Sequence, residues 1–398
     1  MHTHTDISPE TASIHAGRSV DPTTGAVAPP LILSTTFLRA EDYSDTESYI
    51  YSRYRNPNRA SLEECLVSLE QGATTSARGF AFASGLAAGM TMFQALRPGD
   101  HIIIPNDMYF GVRALLQDVF VPWGLRISSV DMTDSEAVRS AIEPATCLIW
   151  TETPSNPMVK LTDLQAIADI AHEHGALMVC DNTWCPLVQA PFLHGCDVVM
   201  YSTTKYFGGH SDILSGALIF KEHSMYAERV LRLQEVGGAV CAPYDAWMLL
   251  RSIATLPHRM RVHCANALAV AEALHGHPAL TALHYPGLPD NPFHALAQRQ
   301  MQHLRGIVPH GFGGMLSIEV RSTATQTAIQ SAQTVAARTT LFTRATSLGG
   351  VESLIEHRKS AEGIHSTTPD GLLRLSVGLE APQDLIADLL YALESVVV

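Results

Sequence analysis

One lysine stands in unusual company. Lys205 follows Ser202, Thr203 and Thr204 at the end of the apolar run Val198 to Tyr201, in a chain where lysine is scarce. Two other apolar runs end in comparable fashion. Leu148 to Thr151 leads to Asn156, and Ala176 to Cys180 leads to Asp181. Short apolar runs of this kind read as buried strands. Open parallel sheets bind ligands at the carboxyl ends of their strands. A carboxylate, an amide, several hydroxyls and one amine are therefore expected to meet in one crevice. Such a set suits pyridoxal phosphate: the amine engages the aldehyde, Ser202 and Thr204 donate to the phosphate, and Asp181 keeps the pyridine nitrogen protonated. Taken singly, a strand-end aspartate is more often a cap and a lone lysine more often a solvated charge. Order and spacing together carry the reading. Gly208 and Gly209 follow the lysine and predict a close backbone approach to a ligand.

The surrounding pattern supplies the elements that such a crevice needs. Leu62, Cys65, Leu66 and Leu69 recur at helical spacing, with Gly72 as a stop. His101 to Ile104 reads as a further buried strand. Thr162 and Asp163 offer cap oxygens to a helix carrying Leu164, Ile167, Ala168 and Ala171 on one face, closed by Gly175. Strands alternating with helices predict an α/β domain whose mostly parallel sheet is covered on both faces. A continuous helix is expected from about Tyr244 to Leu274. Met315 to Val320 and Leu372 to Val377 are strand-like, predicting a smaller α+β C-terminal domain. The first ~45 residues lack periodicity and read as an extended arm that needs something to pack on. The expected division is an arm over 1–48, a large domain over 49–244 and a C-terminal domain over 245–398.

Composition narrows the partners. The 398 residues carry a formal net charge of −13, which argues against non-specific binding to nucleic acid or anionic membrane. No apolar run approaches the ~18 residues of a membrane span. Met1 to Glu10 is polar and shows no secretory signal. The seven cysteines contain no C-x-x-C pair, and free thiols in a reducing cytoplasm are expected. His172 and His174 lie two apart on a helix and point to different faces, so no metal site is expected.

Asp181-Asn182-Thr183, followed by Tyr201-Ser202-Thr203-Thr204-Lys205-Tyr206-Phe207-Gly208-Gly209-His210-Ser211, resembles the lysine signature of the Cys/Met-metabolism PLP-dependent enzymes. This is the family of cystathionine γ-synthase, cystathionine β- and γ-lyases, methionine γ-lyase and the homoserine-ester sulfhydrylases. Tyr51-Ser52-Arg53, Ser84-Gly85, Glu152 to Pro157, Gly311 to Gly314, Ser347 to Gly350 and Leu373 to Gly378 fall in the family's order. The resemblance implies fold type I, the aspartate aminotransferase-like fold, and a homotetramer of two catalytic dimers. It implies Lys205 as the cofactor-binding and proton-moving lysine, its amine kept neutral by burial and nearby positive charge. Asp181 would pair with the ring nitrogen and Asn156 with the ring hydroxyl. Tyr109 would stack on the ring and assist as acid or base, with Thr183 on the opposite face. The backbone N–H groups of Gly85 and Leu86, with Ser202 and Thr204, would hold the phosphate. Tyr51 and Arg53 would reach it from a neighbouring subunit, with Tyr51 also near the substrate. Arg374 would clamp the α-carboxylate, with a backbone contact from Ser347.

Three places depart from the family pattern. Arg113 lies one residue nearer its tyrosine than the substrate-facing arginine of some members. Thr346 stands where transsulfuration enzymes usually carry a glutamate for the distal ammonium of cystathionine. Glu356-His357-Arg358-Lys359, followed by Glu362, replaces Glu-His-Pro-Ala, and its new charges are expected to face solvent. The first reading is a lyase that expels a sulfur or other heteroatom group from Cβ or Cγ of an amino acid such as cystathionine. The alternatives are a γ-replacing synthase that joins an O-acylhomoserine with cysteine or sulfide, and a γ-lyase for a substrate such as canavanine. A cofactor-free scaffold on the same fold is the reading from outside enzymology. The intact Lys205, Asp181 and Arg374 argue against it.

Overall fold

The structure is a computed structural model that describes residues 7–44, 49–301, 311–363 and 366–396. Seven strands form the large sheet: β1 (Arg78–Phe82), β2 (His101–Pro105), β3 (Arg126–Val130), β4 (Thr146–Glu152), β5 (Leu177–Asp181), β6 (Val198–Tyr201) and β7 (Gly216–Phe220). Their order is β1-β7-β6-β5-β4-β2-β3. All run parallel except β7, which pairs antiparallel with both β1 and β6. β2, β6 and β7 are buried along their whole length because helices cover both faces.

A second sheet follows, with β8 (Leu280–His284), β9 (Met315–Val320), β10 (Thr343–Arg344), β11 (Leu354–His357) and β12 (Leu372–Ser376) in the order β10-β11-β12-β9-β8. It is antiparallel apart from the β10–β11 pair. This mixture of a mostly parallel sheet with a smaller α+β unit is the expected fold class.

Several local expectations hold in detail. The helix Pro57–Leu69 buries Leu62, Cys65, Leu66 and Leu69. The helix Leu164–Glu173 is capped by Asp163, whose side chain accepts from the Ala166 N–H; Thr162 lies one position too early. Two expectations fail. The arm is not wholly extended, because Pro9–His15 is helical with Ala12 and Ser13 buried; residues 1–6 and 45–48 of the arm lie outside the described residues. The helix expected over 244–274 is two helices, Pro243–Ile253 and Leu256–Leu274. Pro257 cannot continue the hydrogen-bond ladder. The buried guanidinium of Arg259 donates at 3.1 Å to the Ser252 carbonyl, which also accepts from the Thr255 N–H and hydroxyl, each at 3.1 Å. It also donates to the carbonyls of Tyr206 (2.6 Å) and Phe207 (3.3 Å), which ties the break to the chain just after Lys205. Gly209 serves this contact: at φ +68° it sits so close that a Cβ would meet Arg259 Nη1 at 2.1 Å. An arginine of the same chain thus packs where a side chain at this glycine would lie.

Candidate active site

The carboxyl ends of β4, β5 and β6 open on a cavity of about 180 Å³. Its wall brings together Ser84, Gly85, Leu86, Tyr109, Glu152, Asn156, Asp181, Thr183, Ser202, Thr204 and Lys205 from the large sheet side, and Thr346, Ser347, Arg358 and Arg374 from the small one. Lys205 is one of four lysines in the chain and the one in this wall. A larger groove of about 1040 Å³ elsewhere is lined by neither a lysine nor an aspartate, so chemistry rather than size singles out the smaller cavity.

Lys205 Nζ donates to Ser347 Oγ at 2.8 Å. Burial, aided by the Arg374 charge, lowers its pKa from the ordinary lysine value to about 8. Ser347 adopts φ +106°, which costs a non-glycine residue about 1–3 kcal/mol. This twist lets one residue serve two partners: its hydroxyl holds Lys205, and its carbonyl accepts from Arg374 Nη2 at 2.9 Å. Arg374 is only 4% exposed. It also donates to Asn156 Oδ1 (3.1 Å) and Glu356 Oε2 (2.7 Å). The Asn156 amide nitrogen has no acceptor among the described residues.

Asp181 is the last residue of β5, in register with Glu152 on β4. Burial raises the pKa of both carboxyls, and the Asp181 charge raises Glu152 further. Asp181 accepts from the Thr183 N–H at 3.0 Å, and Thr183 Oγ1 accepts from the Ser202 N–H at 2.8 Å. The Tyr109 N–H donates to Glu152 Oε2 at 2.8 Å. Gly111 folds under the Tyr109 ring, where a Cβ would lie 2.6 Å from Cε1. Thr204 Oγ1 donates to the Ser215 carbonyl at 3.0 Å and accepts from its N–H at 3.0 Å.

These residues fit pyridoxal phosphate on their own chemistry. Ser84 caps the ten-residue helix Gly85–Gln94 by accepting from the Ala87 N–H. The Gly85 and Leu86 N–H groups have no protein acceptor among the described residues, and they stand at a helix N-terminus that favours an anion. A Cβ on Gly85 would fill this cradle, lying 2.8 Å from Ser202 Cβ. Asp181 is a buried carboxyl with no cationic side chain paired to it among the described residues, as a site for a protonated ring nitrogen requires.

Tyr51 and Arg53 lie outside the cavity wall. Tyr51 is 40% exposed, and Arg53 donates to the Glu235 carbonyl. Arg113 is also absent from the wall, where Val112 takes its place. The expectation that the charges at 356–362 face solvent is wrong for most of them. Arg358 is 1% exposed and lines the cavity, because Glu356 and Glu362 neutralise it at 2.7 and 2.8 Å. Lys359 does lie outside the wall and pairs with Asp370. Glu152, Arg259, Glu356 and Arg358 are thus the functional-site residues that sequence reasoning passed over or misplaced. Glu152 and Glu356, each in a family motif, carried a local signal.

The comparisons agree with this geometry. The family model for Cys/Met metabolism PLP-dependent enzymes matches residues 10–394. The cystathionine gamma-synthase of Mycobacterium tuberculosis is 44% identical over 392 residues, covering 97% of this chain and 96% of that protein. The cystathionine beta-lyase of Coxiella burnetii is 42% identical over 396 residues, covering 96% and 97%. The crystal structure of cystathionine gamma-lyase from Lactobacillus plantarum, complexed with L-serine, superposes with a TM-score of 0.88 at 38% identity, covering 98% of this chain and 99% of that one. The fold and cavity are those of a fold type I PLP-dependent enzyme. The chain belongs to the Cys/Met metabolism PLP-dependent family, and its cofactor is pyridoxal phosphate.

Proposed function

We propose that this enzyme eliminates a sulfur or other heteroatom leaving group from Cβ or Cγ of an amino acid, giving an oxo acid and ammonia. The observation that carries the reading is the Lys205–Ser347–Arg374 chain of contacts, which couples a proton-moving amine to a carboxylate clamp. When bound, pyridoxal phosphate supplies an electron sink that weakens the bonds at Cα of an attached amino acid. The Gly85 and Leu86 N–H groups and the Ser202 hydroxyl would hold its phosphate. Thr204 would join them on turning its hydroxyl from Ser215. Asp181 would face its ring nitrogen, Asn156 would donate to its ring hydroxyl, and Tyr109 and Thr183 would flank its ring.

Arg374 orients the α-carboxylate, so that the Cα proton faces Lys205. The Lys205 amine, lowered to about 8, takes that proton. A Cβ substituent can then leave with the electron pair of its bond, whereas a Cγ substituent leaves only after a proton has also been taken from Cβ. The amine protonates the carbon left behind before water releases the oxo acid and ammonia. Ser347 Oγ steers Nζ between these positions. Tyr109, its phenol pushed above its ordinary pKa by burial, stays protonated and can donate to the departing group.

A second reading, replacement at Cγ by a thiol, is favoured by the 44% identity to proteins named cystathionine gamma-synthase. A panel of cystathionine, methionine, homocysteine, canavanine and O-acylhomoserines decides between the two. Oxo acid without added thiol supports elimination; a thioether product without oxo acid supports replacement.

The assembly is proposed to be a homotetramer of two catalytic dimers. Tyr51 and Arg53 stand outside their own cavity wall, and Val27, Leu33 and Leu38 of the arm are left exposed, Leu38 at 98%. The division into an arm (1–48), a large domain (49–244) and a C-terminal domain (245–398) is supported by the two sheets, one ending at Phe220 and the other beginning at Leu280. A cytoplasmic site of action is supported by seven free cysteines, six of them buried. Among the described residues no helix is long and apolar enough to cross a membrane.

A further inference from the structure

We propose that Arg259 is the positioning residue for Lys205: from the helix Leu256–Leu274 it holds the backbone turn that carries the lysine, so that the amine meets the substrate's α-proton at the required distance and angle. This rests on the proton-moving role of Lys205 and applies equally to elimination and to replacement.

The first observation is where the backbone after Lys205 finds its hydrogen bonds. The chain leaves the sheet at Tyr201, and each of the five carbonyls from Lys205 to Gly209 has a partner. The Lys205 carbonyl accepts from the Gly209 N–H at 2.7 Å, within the turn. Arg259 takes the next two, Tyr206 at 2.6 Å through Nη1 and Phe207 at 3.3 Å through Nη2. The Gly208 carbonyl accepts from the Ser252 hydroxyl, which itself accepts from Arg259 Nη2 at 3.2 Å. The Gly209 carbonyl accepts from the Val351 N–H at 2.9 Å. Val351 lies four residues past Ser347, whose hydroxyl holds Lys205 Nζ. Arg259, directly or through Ser252, therefore fixes three successive carbonyls, and the next one ties the turn to the loop that holds the amine.

The second observation is the charge of Arg259. Among the described residues four arginines are buried, and Arg59, Arg358 and Arg374 each pair with a glutamate at 2.7 to 3.7 Å. Arg259 has no carboxylate partner among the described residues. Its cation is met by carbonyl dipoles instead, as at the C-terminal end of a helix. A buried cation without an anion is costly, and what the fold gains from it here is the fixed turn.

The third observation is that the same helix holds Tyr206 a second time. His263, one turn beyond Arg259, sets its ring edge-on to the Tyr206 ring at 5.0 Å between centroids. Its own Nδ1 donates to the Val377 carbonyl at 2.7 Å. On the other side of the guanidinium, Gly209 leaves no room for a side chain. A lysine at 259 would bring its donors on one point, whereas the planar fork reaches Tyr206 through one nitrogen and Phe207 and Ser252 through the other.

The test uses the holoenzyme and norvaline, an amino acid with no leaving group. Loss of its α-proton signal in D2O, followed by NMR, measures proton transfer by Lys205 alone. Arg259→Met is expected to slow this exchange by about a hundredfold, the cost of a displacement of about 1 Å at the reacting group, with the Kd of norvaline and of the cofactor changed by less than about threefold. Arg259→Lys recovers part of the rate. Gly209→Ala disturbs the same contact from the opposite side and slows exchange in the same way. The double variant Gly209→Ala/Arg259→Met is no slower than the slower single one, because both act through one contact. Amide hydrogen–deuterium exchange supplies a readout without turnover: the peptide 203–211 should exchange faster in each variant, and the strand 177–181 should not change. If the methionine variant does not fold, Arg259→Lys and Gly209→Ala carry the test. Unchanged α-proton exchange, a slowing that follows cofactor loss, multiplying effects in the double variant, or unchanged amide exchange over 203–211 each overturn the assignment. A wild type that exchanges no α-proton would instead overturn the role of Lys205, and amide exchange would still decide whether Arg259 holds the turn.

Discussion

Glu70 lies beneath the strand that leads to Lys205, and its replacement by glutamine isolates one titration. The Tyr201 hydroxyl donates to Glu70 Oε1 at 2.6 Å and accepts from Asn182 Nδ2 at 2.8 Å. This buried trio therefore joins the residue after Asp181 to the residue before Ser202. Burial raises the Glu70 carboxyl from its ordinary value near 4.5 to about 7. Between those values the folded chain holds a proton that the unfolded chain has released. Stability from this group is complete below the lower value and is lost as pH rises through the higher one. At ~1.4 kcal/mol per unit, the loss amounts to at most about 3 kcal/mol. Glu70→Gln keeps an acceptor for Tyr201 and removes the titration. Urea unfolding of the two holoproteins, at equal protein and cofactor concentration, is compared at pH 5 and pH 8. The variant should gain on wild type by up to ~3 kcal/mol between these conditions. Parallel pH dependences would refute the reasoning, because they would mean that Glu70 titrates alike in the folded and unfolded chains.

Three further outcomes follow from the site. Arg53→Ala should weaken cofactor retention, and mixing it with Lys205→Ala should restore some activity through a hybrid site with both residues intact; no recovery from properly assembled mixtures rejects the shared site. Thr346→Glu should raise the preference for cystathionine by about ten- to a hundredfold through a charge-assisted bond to its distal ammonium; an unchanged substrate profile rejects a substrate-facing role for this position. Arg374→Gln should raise KM for every amino acid of the panel, with a smaller effect on kcat, because the α-carboxylate clamp is common to all; a loss confined to one substrate contradicts that role.

Much of the crevice was readable because its residues terminate strands, where short apolar runs give way abruptly to Asp181, Asn156 or Ser202. What escaped the sequence depends on contacts between distant segments. Arg358 looks like a surface charge until Glu356 and Glu362 are seen to neutralise it. Gly209 gives no local sign that Arg259, fifty residues further along, closes on it. The reversed direction of β7 leaves no trace in Gly216 to Phe220, because a strand buried on both faces reads the same either way. The break before Pro257 does carry a local signal, the proline itself, set between two stretches of helical periodicity.

The central claim is that Lys205 is the lysine that engages the cofactor. Borohydride reduction of the holoenzyme, followed by peptide mass spectrometry, tests it directly, since Lys160, Lys221 and Lys359 are the other lysines of the chain. A pyridoxyl adduct on Lys205, absent from Lys205→Ala, is the expected result. An adduct on any of the other three, or one that persists in the alanine variant, would contradict the account.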